Sequence, residues 1–287
     1  MSAPDPPFRA AEEQAARRLI DLSLEEDGAR NDITTQVSIP PGMDGRAVIR
    51  TRQEGVLAGL PCVALTAEAL DAGFTVRPRR GDGDRLAAGE VVAELEGSLA
   101  GLLAAERTFL NLLCALSGVA TLTRRFVERA GPHCRVLDTR KTWPGHRVLQ
   151  KYAVRCGGGS NHRMGLDDAF MVKDNHRAGG RSLAEIVARA RRNHPDLPII
   201  LEVDDLGSLP EALELGVERI LLDNFDPAAV RQACRMREQA GSLVEFEVSG
   251  GVHLETVGAL ARAGADMVSI GALTHSAKAL DLGLDLE

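Results

Sequence analysis

The sequence predicts an α/β protein built on a parallel βα barrel, with a smaller α+β layer before it; an open doubly wound sheet is the alternative to the barrel. Two observations carry this prediction. Short apolar runs recur through the second half of the chain, at 135–139, 170–175, 199–204, 219–224, 244–251 and 267–271, with helical patterns between them. Each run also carries its polar residues at its C-terminal end: Asp138, Lys173, Glu202, Asp223, Ser249 and Gly271. In a βα barrel those ends open onto one face, where active sites sit.

In order along the chain, residues 10–27 show helical spacing through Ala15, Leu19 and Leu22, with charges on the other face. β-like runs follow at 45–59 and 89–96, separated by the helical LPCVALTAEAL and the turn-rich RPRRGDGDRLAAG. Residues 99–130 read as one long or broken helical segment, with the break expected near Ser117 and Gly118. Farther on, Asp226 and Pro227 start one helix, and the apolar face from Leu254 to Ala263 marks another that ends at Gly264.

The composition bounds the partners. Of 287 residues, 44% are hydrophobic and 26% charged, which suits a packed globular core and not disorder. A net charge of −7 argues against nucleic acid and anionic membrane. Between Asp138 and Arg177, however, eight Lys/Arg face four acids, a local charge of about +4 that suits a small polyanion. Five scattered cysteines with no CxxC pair read as thiols of a reducing compartment. No stretch is read as apolar enough for a signal peptide or long and apolar enough for a bilayer span, so a cytoplasmic location is expected.

Three constellations carry chemistry. SGG at 249–251 and SIGALTH at 269–275 end the last two runs, where glycines let backbone N–H groups approach a phosphate. DTRKT (138–142), NHR (161–163) and KDNH (173–176) collect guanidinium, ammonium and imidazole groups; arginine forks onto carboxylates, and lysine acts as a point charge on phosphate. Glu202 and Asp223 end neighbouring strands. They could hold a divalent cation, work as acid and base, or accept hydrogen bonds from sugar hydroxyls, and spacing does not choose among these.

The strings DTRKT, KYAVRCGGG, NHR, VKDNH, SGGV and GALTHS resemble, in the same order, the signature segments of the quinolinate phosphoribosyltransferase family. ERTFLNLL, SGVAT, EDGARNDITT and ALDLGLDL extend the likeness over nearly the whole chain, with Asn31 where a glycine is usual. The resemblance implies an irregular, TIM-like α/β barrel of about seven strands over 117–275. It also implies an N-terminal α/β sandwich over 1–116 that the tail 276–287 rejoins. By the same resemblance Arg140, His162 and Arg163 match residues that hold the two quinolinate carboxylates, Thr139 matches a substrate-binding residue, and Lys141 and Lys173 match lysines that line the quinolinate and pyrophosphate region. Glu202 and Asp223 match acids on the ribose hydroxyls and magnesium; Ser249, Gly250, Gly271 and His275 match the 5′-phosphate region. Arg107 matches an arginine that enters the neighbouring subunit's site, which implies at least a homodimer and leaves a hexamer open.

The implied reaction transfers phosphoribose from phosphoribosyl pyrophosphate to quinolinate with loss of CO2, in NAD biosynthesis, with Mg2+. Departures from the pattern are Trp143 and His146, beside Arg140 and Lys141. Trp143 is expected in a core or an interface. Rival readings are a paralogue linked to molybdenum transport, a non-enzymatic phosphosugar-binding barrel, and a Schiff-base aldolase using Lys173.

Overall fold

The computed structural model describes residues 7–173 and 180–287, so Asp174, Asn175 and His176 of the KDNH motif lie outside the described residues. The first elements are helices α1 (Ala10–Asp27) and α2 (Ile33–Ser38), strands β1 (Asp44–Thr51) and β2 (Gly55–Val56), and helix α3 (Pro61–Leu70). Strands β3 (Phe74–Pro78), β4 (Arg85–Leu86) and β5 (Val91–Ser98) follow, then helix α4 (Leu99–Ala130), β6 (Arg135–Leu137), α5 (Arg147–Cys156) and β7 (Phe170–Val172). Next come α6 (Leu183–Asn193), β8 (Ile199–Val203), α7 (Leu209–Glu214), β9 (Arg219–Asp223) and α8 (Pro227–Gln239). The chain finishes with β10 (Glu245–Ser249), α9 (Leu254–Arg262), β11 (Met267–Ser269), α10 (Ala272–His275) and β12 (Leu282–Leu286). Two compact units result: Met1–Arg124 with Lys141–Gly159 and Ala272–Glu287, and Arg125–Arg140 with Ser160–Gly271.

In the first unit an antiparallel sheet of order β12-β1-β5-β3 packs against α4. Alternation along β1 sends Ala47 and Ile49 into a core shared with Leu102, Phe109 and Leu113 of α4. That helix is unbroken through 32 residues, so the break expected at Ser117 and Gly118 is absent. Gly118 serves closeness, not flexibility: a Cβ there would lie 2.1 Å from the Lys278 carbonyl oxygen. The tail passes directly over the helix and pairs antiparallel with β1, from Thr51↔Leu282 to Ala47↔Leu286.

The expectation that no stretch is long and apolar enough to span a bilayer is also corrected. By length and composition alone α4 meets that test, because its apolar side chains are those that a core helix needs; half of the apolar window is buried inside the protein.

Buried polar contacts tie α5 and the preceding segment into the same unit. Asp82, in a DGD turn, accepts hydrogen bonds from the N–H groups of Gly59 (2.7 Å) and Leu60 (3.0 Å) and from the Tyr152 hydroxyl (2.7 Å). Glu12 of α1 accepts a hydrogen bond from Arg155 at 2.7 Å, and Lys151 is fully buried. The basic segment is thus used in part to build the fold. Several of its charges are structural, and Lys141, Arg147, Lys151 and Arg155 belong to the first unit.

The second unit holds the six predicted strands as one parallel sheet of order β6-β11-β10-β9-β8-β7. Its strands read as continuous apolar runs because both faces are covered: Ile199 through Leu201, Ile220 through Leu222, and Met267 with Val268 are all buried. Between Val154 and Arg163, after the Gly157–Gly159 run, the chain makes a single parallel bridge, Ser160 to Leu137. Asp226 caps α8 as expected, accepting from the N–H groups of Ala228 and Ala229.

Candidate active site

Parallel register lines up one face of the second unit's sheet. Met267, Glu247, Leu221 and Glu202 lie in one row, and Lys173 continues it beyond the Val172↔Leu201 pair. Two residues farther toward the C-terminal ends, Ser249 stands opposite Asp223. Two residues in the other direction, Ile200 and Met171 join Leu221 and Ala169 in an apolar floor. The period of two thus puts Lys173, Glu202, Glu247, Ser249 and Asp223 on a single face, with the polar groups above an apolar base.

Local contacts fix each group. Lys173 forms an ion pair with Glu202, whose side chain is almost wholly shielded from solvent. The Asp223 carboxylate accepts a hydrogen bond from the Asn224 side chain at 2.7 Å. Asn224 takes the left-handed conformation (φ 59°), and its N–H donates to the Ser249 carbonyl at 2.7 Å, which knits the ends of β9 and β10 together. Gly250 follows with φ 83°, and a Cβ on it would lie 2.1 Å from the Asn224 side-chain oxygen. Glycine is required there by conformation and by space.

The end of β6 grips the NHR segment. Asp138 is fully buried; one carboxylate oxygen accepts from the Asn161 side-chain amide at 2.6 Å and the other from the His162 N–H at 3.0 Å. Arg163 donates from Nη1 to the Ala169 carbonyl at 3.1 Å, with Met171 Sδ beside its second nitrogen. Burial first, and then repulsion from the neighbouring Arg140 guanidinium, hold Arg163 below the usual arginine range. Two arginines that repel each other in a partly buried site are poised for a ligand with more than one anionic group.

His162 lies beside this grip, within reach of Glu247 of β10. Its ring is nearly buried and turns inward, with Nε2 3.3 Å from Glu247 Oε1, and its Nδ1 accepts a hydrogen bond from the Arg163 N–H at 2.6 Å. A cavity of about 160 Å3 is lined by Asn161, His162, Arg163 and Asp168 together with Glu218, Arg219 and Glu245, residues at or just before the starts of strands. Lys173, Glu202, Asp223 and Ser249 do not line it.

The second unit thus brings together Lys173 with Glu202, Arg140 with Arg163, and Asp223 with Ser249 and Gly250; Thr139 and Gly271 belong to it as well. Arg107, Lys141 and His275 belong to the first unit. There the Thr274 hydroxyl donates to the Lys141 carbonyl at 2.7 Å, next to the exposed His275. Arg107 projects from α4 with most of its side chain exposed, 3.6 Å from Glu106. Trp143 is 44% exposed and stacks edge-on with His146 at 5.8 Å, so it is not a core residue. Asn224, Glu247 and Arg219 escaped the sequence reading. The Asp-Asn pair ending β9 was the available signal for the first, and nothing local distinguished the other two from solvent-facing charges.

A parallel α/β sheet with strand-end carboxylates, a glycine turn at the end of β10 and an arginine pair defines an enzyme that handles small polyanionic substrates. Comparison with known proteins specifies which. The profile of "Quinolinate phosphoribosyl transferase, N-terminal domain" matches residues 32–117, and that of its C-terminal domain matches residues 119–285. A nicotinate-nucleotide pyrophosphorylase [carboxylating] of Mycobacterium leprae is 42% identical over 95% of this chain and 97% of its own length. A probable enzyme of the same name in Bacillus subtilis is 39% identical over 94% and 93%. The solved nicotinate-nucleotide pyrophosphorylase of Francisella tularensis superposes with a TM-score of 0.89 at 36% identity, covering 96% of this chain and 97% of that one. The chain belongs to the quinolinate phosphoribosyl transferase family, and it is a phosphoribosyltransferase.

Proposed function

We propose that the protein transfers the phosphoribosyl group of 5-phosphoribosyl 1-pyrophosphate to quinolinate, releasing pyrophosphate and CO2 and forming nicotinate mononucleotide for NAD synthesis. The observation that carries the reading is the sheet face that gathers Lys173, Glu202 and Asp223 at its strand ends, in a unit that also holds Arg140 and Arg163 close enough to repel each other. Quinolinate carries two adjacent carboxylates, and two guanidiniums held together in a partly buried site match that charge and shape.

The ring nitrogen attacks the anomeric carbon as pyrophosphate departs, and positive charge grows on the sugar. Glu202 and Asp223 stabilise that charge and accept from ribose hydroxyls, while Lys173, with Lys141, offsets the leaving pyrophosphate. Ser249, Gly250, Gly271 and His275 receive the 5′-phosphate. Once quaternised, the ring withdraws electrons, and the C–CO2 bond next to the nitrogen breaks with its electron pair left on the ring carbon, which then takes a proton.

Among the described residues no group of three or more His, Cys, Asp or Glu could hold a metal ion. Asp223 and Glu202, two carboxylates at strand ends of the same sheet, would support Mg2+ arriving on the pyrophosphate, as carboxylates commonly do for Mg2+ on phosphate substrates. Bound there, the ion would neutralise charge on the leaving group. The exposed Arg107 is assigned to a partner subunit's site in a homodimer. The five free thiols suit a cytoplasmic location.

The test is to incubate the protein with quinolinate, phosphoribosyl pyrophosphate and Mg2+ and to follow nicotinate mononucleotide together with CO2. Product dependent on both substrates is expected. Arg163→Ala should raise the KM for quinolinate about tenfold or more and leave that for the phosphosugar nearly unchanged; equal effects on both would overturn the assignment.

A further inference from the structure

An ionised carboxylate inside a sheet is expensive unless other groups compensate it. Glu247 is fully buried in the middle of β10, and neither the binding groups nor the reaction described above uses it. Its Oε2 accepts from Arg219 Nη1 at 2.8 Å, and its Oε1 lies 3.3 Å from His162 Nε2, closer to an electrostatic contact than to a linear hydrogen bond. Burial alone would raise the Glu247 carboxyl, but the His162 imidazole, the Ser269 hydroxyl and the Arg219 guanidinium together hold it below its ordinary value.

The other ring nitrogen of His162 gives this contact a direction. Nδ1 accepts the Arg163 backbone N–H at 2.6 Å and therefore carries no proton. The ring proton of a neutral imidazole then sits on Nε2, facing the carboxylate. The bond made by one imidazole nitrogen sets the role of the other. If Glu247 lost its charge, the preference for that tautomer would weaken, and a proton on Nδ1 would confront the Arg163 N–H.

The geometry points to Glu247 as a positioning residue: with Arg219 holding its charge, it fixes the Nε2–H tautomer of His162, which in turn anchors the backbone of Arg163 for binding a dicarboxylate. This rests on the reading of Arg163 as a carboxylate-binding group.

The first experiment is 15N NMR of the histidine side chains in the full-length protein, with the His162 signal assigned by its loss in His162→Gln. A neutral ring protonated on Nε2 is expected, and protonation on Nδ1 overturns the inference without any kinetics. The second is steady-state kinetics of Glu247→Gln and of Glu247→Asp, which keeps the charge but shortens the reach. Glu247→Gln should raise the KM for quinolinate about tenfold, the equivalent of about 1.4 kcal/mol, with the KM for phosphoribosyl pyrophosphate within about twofold and a shifted tautomer signal. Glu247→Asp should fall between it and wild type. A folded Glu247→Gln with unchanged quinolinate KM and unchanged tautomer refutes the positioning role. A wild-type protein that makes no product from quinolinate instead refutes the reading on which it rests.

Discussion

Asp138→Asn isolates the grip of β6 on the NHR segment. Each carboxylate oxygen now accepts one N–H: Asn161 at 2.6 Å and His162 at 3.0 Å, in a position closed to solvent. Asparagine keeps the shape but offers one oxygen and one NH2, so one of the two donors must face another donor. The loss of a hydrogen bond to a charged acceptor is worth about 1.5–3 kcal/mol, and a buried donor left unsatisfied costs about 1–3 kcal/mol. Partial relaxation of the segment brings the net to about 3 kcal/mol, a large part of the roughly 5–15 kcal/mol that stabilises a domain. Urea unfolding at one fixed protein concentration would show a lower midpoint with an unchanged slope. In steady-state assays the quinolinate KM should rise several-fold, because Arg163 follows directly on the released residues. A variant as stable as wild type, or one in which both KM values rise together, would refute the reasoning.

Gly118→Ala gains about 1 kcal/mol of helix propensity, but its methyl group meets the Lys278 carbonyl at 2.1 Å. A net loss of about 1–3 kcal/mol and faster proteolysis of the C-terminal tail are expected; a more stable variant would contradict the close approach. Gly250→Ala combines φ 83° with a clash on the Asn224 side chain, so the KM for phosphoribosyl pyrophosphate should rise while that for quinolinate changes little. Asp32 caps α2, and its bonds from the Thr35 hydroxyl and from the Thr35 and Thr34 N–H groups hold its carboxyl below the ordinary 3.8. Because the folded-state value is the depressed one, this contribution is present above the unfolded value and lost as pH falls through the folded one. Asp32→Ala should therefore lower stability by about 1 kcal/mol at neutral pH, and urea midpoints should show the difference shrinking below pH 3.8.

The parallel sheet was legible because each strand is buried on both faces, which leaves an uninterrupted apolar run ending in polar residues; Ile199 to Glu202 and Ile220 to Asp223 are the clearest cases. Helix α1 was equally plain, matching its predicted span of 10–27. Strand β3 was hidden because it is an edge strand with mostly exposed side chains, and Ser160 makes only one bridge, too short for any periodic signal. Close approach defeated the reading at Gly118, since a glycine that admits another backbone looks the same in sequence as one that breaks a helix. Within the site, strand-end residues were found by position. Glu247 was missed because its partners, His162 and Arg219, are distant in sequence, and the alternating VEFEV suggests a solvated face when it marks an inner one. The orientation of His162 is likewise a tertiary property that a motif does not encode.

The pairing of β12 with β1 bears on the order of assembly during synthesis. Arg50 and Asp285, joined across these strands, are 235 residues apart. At a ribosomal rate of about 5–20 residues per second, β1 waits on the order of 10–50 s for its second neighbour. Throughout that interval one edge of β1 presents unpaired N–H and C=O groups, a template for another strand. The nascent N-terminal unit is thus an incomplete sheet throughout that interval, until residues 282–286 close the edge.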